Sequence, residues 1–345
     1  MSTQAQQQPV NEMPPQMVML QMMSGYWVSQ SLYVAARLGL ADLLKDGPRT
    51  SEELARATGT HAPTLYRLLR ALAGLGLFLE DEQGRFTLTP LSNTLQTGPG
   101  SVRAMILHLG EQPSWLAWGD LLRSVQTGET AFPRVNGMEV FPFYAAHPES
   151  QEPFNHAMTE ASEVMSAAVT QAYDFSQFGK VVDVGAGHAG LITAILKSSP
   201  KVKGIAYDLP AVVEGAGERI EAEGLAGRCE AVGGDFFHSV PAGGDAYTLK
   251  MIIHDWDEAR ALSILRNIHG AMKDDGKLLI VETVIPEGNE PSFSKLGDLH
   301  MLVMTGGQER TAAQYQKLLD AAGFSLTRII PTQSIVSIVE GIKKA

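Results

Sequence analysis

The chain has a single cysteine, Cys229, in 345 residues. That excludes an intramolecular disulfide and any metal site built on several cysteines, and it fits a reducing compartment. No apolar run approaches the roughly 20 residues that cross a bilayer, and the Gln-rich start lacks the basic and apolar regions of a signal peptide. A soluble, cytoplasmic protein with no membrane partner is expected. Basic charge is also scarce: 27 Lys and Arg stand against 38 Asp and Glu, a net charge of -11. Repulsion of that sign argues against nucleic acid and anionic lipid as partners. What is present is an ordinary globular composition, 44% apolar and 19% charged, long enough for two domains.

Residues 1–15, rich in Gln and Pro, read as a disordered tail. Residues 16–100 read as a helical and winged-helix dimerisation domain. Its leading pair of helices, over 17–44, carries more Met, Trp and Tyr than one face of a small domain usually buries, which predicts a subunit interface and a homodimer. Thr50 or Ser51 caps a short helix with Glu52 and Glu53 in its first turn and Gly59 at its end; a second helix follows over 62–75. A hairpin over 77–89 turns at Gly84. This helix, turn, helix, hairpin order raises a rival reading, a winged-helix DNA-binding regulator. Over 49–90, however, five Arg and no Lys face five acids, and the wing tip is the acidic run Glu80, Asp81, Glu82. A DNA reader needs a positive face, so the module is read as dimerising.

Residues 101–175 read as a helical connecting region lining a substrate pocket, interrupted by Pro113, Pro133, Pro142, Pro148 and Pro153. Aromatic residues are dense there, and a long helix opens at 154–158. Over 176–345, strands at 181–184, 202–208, 229–235, 246–253 and 277–282 alternate with helices at 191–197, 212–223, 258–272 and 312–322. The pattern is α/β, a doubly wound Rossmann-like sheet whose ligands sit at the carboxyl ends of the strands. The final segments, 325–329 and 334–339, read as an antiparallel pair.

The chemistry concentrates at those strand ends. Val181-Val-Asp-Val-Gly-Ala-Gly-His-Ala-Gly190 is a buried strand stopping in an open glycine turn before a helix, where backbone amides can face a ligand. Gly185, Gly187 and Gly190 also satisfy the dinucleotide pattern, so the glycines leave the cofactor open. Asp208, 21 residues after Gly187, can accept two ribose hydroxyls, and Asp235 with Phe236 can hold an adenine ring. Asp183 inside the strand suits a cationic cofactor better than a pyrophosphate, which disfavours a nicotinamide dehydrogenase. In Leu249-Lys-Met-Ile-Ile-His-Asp-Trp-Asp257, Lys250 and His254 face the crevice. Glu282 and Glu309 are expected to orient and polarise the imidazole as a base.

Together these stretches resemble the plant-type S-adenosylmethionine-dependent small-molecule O-methyltransferases, a group that includes caffeate and hydroxyindole O-methyltransferases. The matching pieces are the winged-helix part, D-V-G-x-G at 183–187, D-L-P at 208–210, G-D-F-F at 234–237, H-D-W at 254–256 and G-G-x-E-R-T at 306–311, in family order over nearly the whole chain. One departure is Ala186, where the family more often has glycine. The resemblance implies a class I methyltransferase domain behind the dimerisation domain, with S-adenosyl-L-methionine as cofactor and no metal. It implies that Asp183, Gly185, Gly187, Asp208, Leu209, Asp235, Phe236 and Lys250 hold the cofactor. It further implies that His254 is the base beside Glu282 and Glu309, and that Met158, Trp256, Asp298, Met301 and Met304 shape the pocket of a small hydroxyl acceptor. The reaction expected is methylation of a hydroxyl on a small aromatic or natural-product acceptor. The rivals are a non-methyl-transfer tailoring reaction, such as hydroxylation or decarboxylation, and a metal-dependent catechol-type enzyme using Asp255 and Asp257.

Overall fold

The computed structural model describes residues 13–98 and 100–344. The expected tail over 1–15 lies mostly outside them, and Pro15 already begins a helix, Pro15–Met23. Contacts within the chain group the residues into two compact units, 1–112 with 152–157, and 113–151 with 158–345.

In the first unit, helices Gly25–Arg37 and Leu40–Leu44 precede strand β1 (Arg49–Thr50), helices Ser51–Thr58 and Ala62–Gly74, and strands β2 (Phe78–Glu80) and β3 (Arg85–Leu88). The strands form an antiparallel sheet in the order β1-β3-β2. Thr50 is the cap: its hydroxyl accepts from the Glu53 amide while the Glu53 carboxylate accepts from the Thr50 amide, a reciprocal capping box. Gly59 ends that helix in the left-handed region, and Gly84 does the same for the hairpin turn. Leu54, Leu65, Leu69, Leu72, Phe78 and Phe86 form the core. The helix Pro15–Met23 buries none of its residues, and Met22 is 70% and Trp27 56% exposed.

In the second unit, four short helices and a long one lead to a seven-stranded sheet. Pro113, Pro133, Pro142 and Pro148 each fall in the first turn of a helix, where the missing N–H has no partner to lose. Pro153 interrupts nothing: the long helix runs Pro148–Ala172 through it, starting six residues before the expected opening. The strands are β4 (Lys180–Val184), β5 (Lys203–Asp208), β6 (Cys229–Gly233), β7 (Ala246–Lys250), β8 (Lys277–Glu282), the short pair β9 (Val284–Ile285) and β10 (Arg310–Thr311), then β11 (Phe324–Pro331) and β12 (Ser337–Lys343). The large sheet has the order β11-β12-β8-β7-β4-β5-β6. All its pairs are parallel except those of β12, which slots antiparallel between β11 and β8.

The doubly wound expectation therefore holds. Along β4, Val182 and Val184 enter one apolar cluster, with Ile264 and Leu265 of the helix Glu258–Ala271. Val181 enters the other, with Leu191 and Ile195 of the helix Gly190–Ser198. Strand periodicity puts Asp183 on a face that apolar side chains otherwise fill, so its carboxylate is buried by position.

Candidate active site

The turn after β4 uses each glycine differently. Gly185 is left-handed (φ 72°), and a Cβ there would collide with the Ile252 side chain; its amide and that of Ala186 donate to the Tyr207 carbonyl. Gly187 is also left-handed (φ 54°) but has open space where a Cβ would sit, and its amide donates to Asp208 Oδ2 at 2.8 Å. Gly190 begins the helix against Ser162. The other Asp208 oxygen accepts the Leu209 amide at 2.7 Å, and burial raises its carboxyl above the usual range. Leu209 itself is exposed. Each Asp208 oxygen keeps a second lone pair for a ligand hydroxyl.

Asp183 accepts the Thr248 hydroxyl at 2.6 Å, and burial lifts its carboxyl to about 6 against the pull of that bond and of Lys250. Lys250 donates to the Ser162 and Ser166 hydroxyls of the long helix; burial lowers its ammonium to about 8. Past β6, Asp235 accepts from the Phe237 amide at 2.8 Å and pairs with His238 at 2.9 Å.

The second turn follows β7, which ends at Lys250 rather than running to 253. Met251 takes a left-handed conformation (φ 55°), a strain that a non-glycine residue carries only where its surroundings enforce it. A single 3₁₀ turn, Ile253–Asp255, then presents His254. Glu282, wholly buried at the end of β8, explains why the chain bends here. Its Oε1 accepts the amides of Ile252, Ile253 and His254 at 3.1, 2.5 and 3.1 Å, and its Oε2 accepts the Tyr315 hydroxyl at 2.6 Å. Glu282 thus binds the turn's backbone, not the imidazole it was expected to orient.

The imidazole is oriented by Glu309: His254 Nδ1 donates to its Oε1 at 2.8 Å. Glu309 is placed in turn by its own amide, which donates to Asp298 Oδ1 at 2.9 Å, while its Oε2 is buried without a partner among the described residues. Gly307 comes so near that a Cβ would strike the His254 carbonyl, which accepts the Gln308 amide at 2.9 Å. Arg310, buried, donates to the carbonyls of Ile253, Gln308 and Trp256. His254 Nε2 is the free position, 3.7 Å from Asp255 Oδ1. Burial alone pulls the His254 imidazolium down, but Asp255, Glu309 and Glu282 overcome it and raise it to about 10; Asp255, half-buried, is itself held up to about 6 by desolvation.

Trp256 packs edge-on against Phe237 at 4.8 Å and Phe236 at 6.1 Å, under the Arg260 guanidinium at 5.6 Å, and its Nε1 is buried without a partner among the described residues. Met304 is buried, Met301 half-buried and Met158 exposed. On the helix Phe293–Met304, which carries Met301 and Met304, His300 accepts the Trp118 indole N–H at 3.1 Å. Sequence reasoning did not single out His300, Thr248, Tyr315 or Arg310, and it weighed Asp255 only as a metal ligand. Among the described residues no group of three or more His, Cys, Asp or Glu is arranged to hold a metal ion.

A family model described as the O-methyltransferase domain matches residues 118–325, and one described as the O-methyltransferase dimerisation domain matches residues 20–98. The chain belongs to the O-methyltransferase family. The phenazine O-methyltransferase PhzM of Lysobacter antibioticus is 51% identical over 328 residues, 95% of this chain and 96% of that protein. The crystal structure of LaPhzM superposes with a TM-score of 0.90 at 50% identity, covering 96% of this methyltransferase and 100% of that chain. NcsB1, an O-methyltransferase from neocarzinostatin biosynthesis crystallised with S-adenosylmethionine and 2-hydroxy-5-methyl naphthoic acid, aligns with a TM-score of 0.82 at 33% identity over 92% of this chain and 96% of its own.

The methyltransferase is S-adenosylmethionine-dependent, and its own residues fit that cofactor. The space beside Gly187 admits a ligand against bare backbone, carboxylates end or follow β5 and β6, and the buried Asp183 has no salt-bridge partner among the described residues. No helix among the described residues is long and apolar enough to cross a membrane.

Proposed function

We propose that this methyltransferase methylates a hydroxyl, phenolic in character, of a small flat acceptor, with His254 taking the hydroxyl proton. The observation that carries the reading is the His254 Nδ1 to Glu309 bond of 2.8 Å, which fixes the ring and leaves Nε2 as the position that exchanges a proton. S-adenosylmethionine supplies a methyl carbon made electrophilic by its sulfonium.

The chain's own residues divide the remaining work. Gly185, Gly187, Asp208, Leu209, Asp235, Phe236 and Lys250 hold the cofactor, with Asp183 as the buried negative charge. Met158, Trp256, Asp298, Met301 and Met304 shape the acceptor pocket. Glu282 fixes the turn and Glu309 the ring. A phenol has a pKa of about 10, close to that of the His254 imidazolium, so once the ring is uncharged the phenol proton passes to its Nε2 at little cost. Holding oxygen, carbon and sulfur in line in a water-poor pocket supplies much of the rate. The exposed Met and Trp side chains of the first helices, within the matched dimerisation domain, support a homodimer formed through them.

Some relatives are named for methylation of nitrogen, including the phenazine-1-carboxylate N-methyltransferase of Pseudomonas aeruginosa. A nitrogen lone pair needs no proton removed before attack, so a positioned base favours oxygen. Labelled cofactor with matched hydroxyl and amine acceptors tests this. The reading requires transfer to oxygen that collapses in His254→Ala; transfer to the amine alone, or hydroxyl methylation retained by that variant, overturns it.

A further inference from the structure

His300 is unused by the scheme above, yet its surroundings define its chemistry. It lies on the helix Phe293–Met304, one residue before Met301 and two after Asp298, the residue that places Glu309. An indole N–H only donates, so the Trp118 bond at 3.1 Å makes His300 Nδ1 an acceptor and puts the ring proton on Nε2. The two ring planes lie within 21° of each other, their centroids 6.1 Å apart. Among the described residues His300 has no second hydrogen-bond partner, so the Nε2–H is a donor of fixed direction with nothing of the protein to bind. The ring stays uncharged: burial, reinforced by the nearby His254 cation, lowers its imidazolium to about 4.

We propose that His300 Nε2–H is a specificity-determining donor that binds an sp² oxygen or nitrogen on the acceptor, placed next to the hydroxyl that His254 serves. The inference rests on the hydroxyl-acceptor reading and narrows it to rings bearing a carbonyl, carboxylate or ring nitrogen beside the reacting oxygen. A neutral donor suits that task. It pairs with a lone pair when the acceptor is protonated and when it is an anion, and it adds no second fixed positive charge beside His254. Trp118 is then a positioning residue: it touches no ligand but selects the tautomer.

The test uses the full-length protein loaded with S-adenosylhomocysteine and two probes of similar shape, 1-hydroxyphenazine, whose ring nitrogen flanks the hydroxyl, and 1-anthrol, which lacks it. Calorimetry should show the parent preferring the nitrogen-bearing probe by about tenfold or more, the worth of a well-placed buried hydrogen bond. His300→Leu should bring that preference ratio to near one, and His300→Gln, which retains a donor, should restore part of it. Nitrogen NMR of the His300 ring should report the Nε2–H tautomer in the parent and a mixture of tautomers in Trp118→Phe. A preference ratio unmoved by His300→Leu, or a parent in the Nδ1–H form, overturns the proposal. Because binding and tautomer are read without turnover, a parent that binds both probes but methylates neither counts against the hydroxyl reading alone.

Discussion

The turns after β4 and β7 lie at the carboxyl ends of neighbouring parallel strands, yet they are built in opposite ways. The first takes its left-handed backbone mainly from glycines at 185 and 187, with Ala189 left-handed where the helix begins, and it is tied down only by the adjacent strand, through the Tyr207 carbonyl and Asp208. The second has no glycine of its own and holds a left-handed Met251. Its shape is imposed from far along the chain, by the Glu282 carboxylate, the Arg310 guanidinium and the close approach of Gly307. The turn proposed to bind the cofactor thus presents open backbone, while the turn carrying His254 is over-determined. The proposed proton transfer accounts for the difference: a misplaced base would cost rate directly, and surrounding carboxylates set its proton affinity.

Substitutions sharpen the contrast, the largest effect first. Glu282→Ala strands three amides, two of them buried, and the Tyr315 hydroxyl, so it should lower unfolding free energy by at least about 3 kcal/mol in denaturant titrations and depress turnover with it. His254→Ala should cost roughly 10²-fold or more in single-turnover methyl transfer while cofactor affinity by calorimetry stays at the parental value. In the first turn, Asp183→Asn should weaken S-adenosylmethionine binding by about tenfold with the fold intact; an unchanged affinity would remove Asp183 from the cofactor's surroundings.

The two turns also differ in where pH acts on the ligand-free protein. Asp183, about 6 when folded against 3.8 for an unperturbed aspartate, binds a proton more tightly in the folded state. Its contribution to stability is therefore lost as pH rises from about 4 to 6. Asp255 contributes in the same window, so Asp183→Asn should reduce the acid-side slope of the thermal midpoint without abolishing it. His254, raised from 6.5 to about 10, contributes stability that is present below about 6.5 and lost as pH climbs to 10. That alkaline slope should flatten in His254→Ala and persist in Asp183→Asn.

The same contrast explains what could be read from the chain alone. Alternating apolar strands and amphipathic helices placed all seven large-sheet strands, the closing antiparallel pair among them, since their signals are local. The glycine turn and the acids at 183, 208 and 235 were legible for the same reason. The second turn was legible only in its parts. His254, Glu282 and Glu309 stood out as chemically apt, but the sequence cannot say which atoms of a turn a distant carboxylate will bind, and Glu282 proved to grip backbone. Strand 246–253 looked continuous because nothing in Met-Ile-Ile signals a left-handed residue. Pro153 looked like a break because helix continuity depends on how much helix precedes it. Arg310 and His300 carry no local pattern at all; their roles exist only in the packed protein.

The central claim is that the β7 turn holds His254 as the proton-exchanging group under the control of Glu309. The pH dependence of kcat/KM for a phenolic acceptor, measured in the parent and in Glu309→Gln, tests it most directly. A ring held cationic in the free enzyme makes parental kcat/KM climb from neutral pH toward about 10, because the reactive pair carries one proton fewer than the resting one. Glu309→Gln keeps a hydrogen-bond acceptor but removes the charge, so the rising limb should move to lower pH by roughly one unit or more. Superimposable profiles for the two proteins would contradict the account.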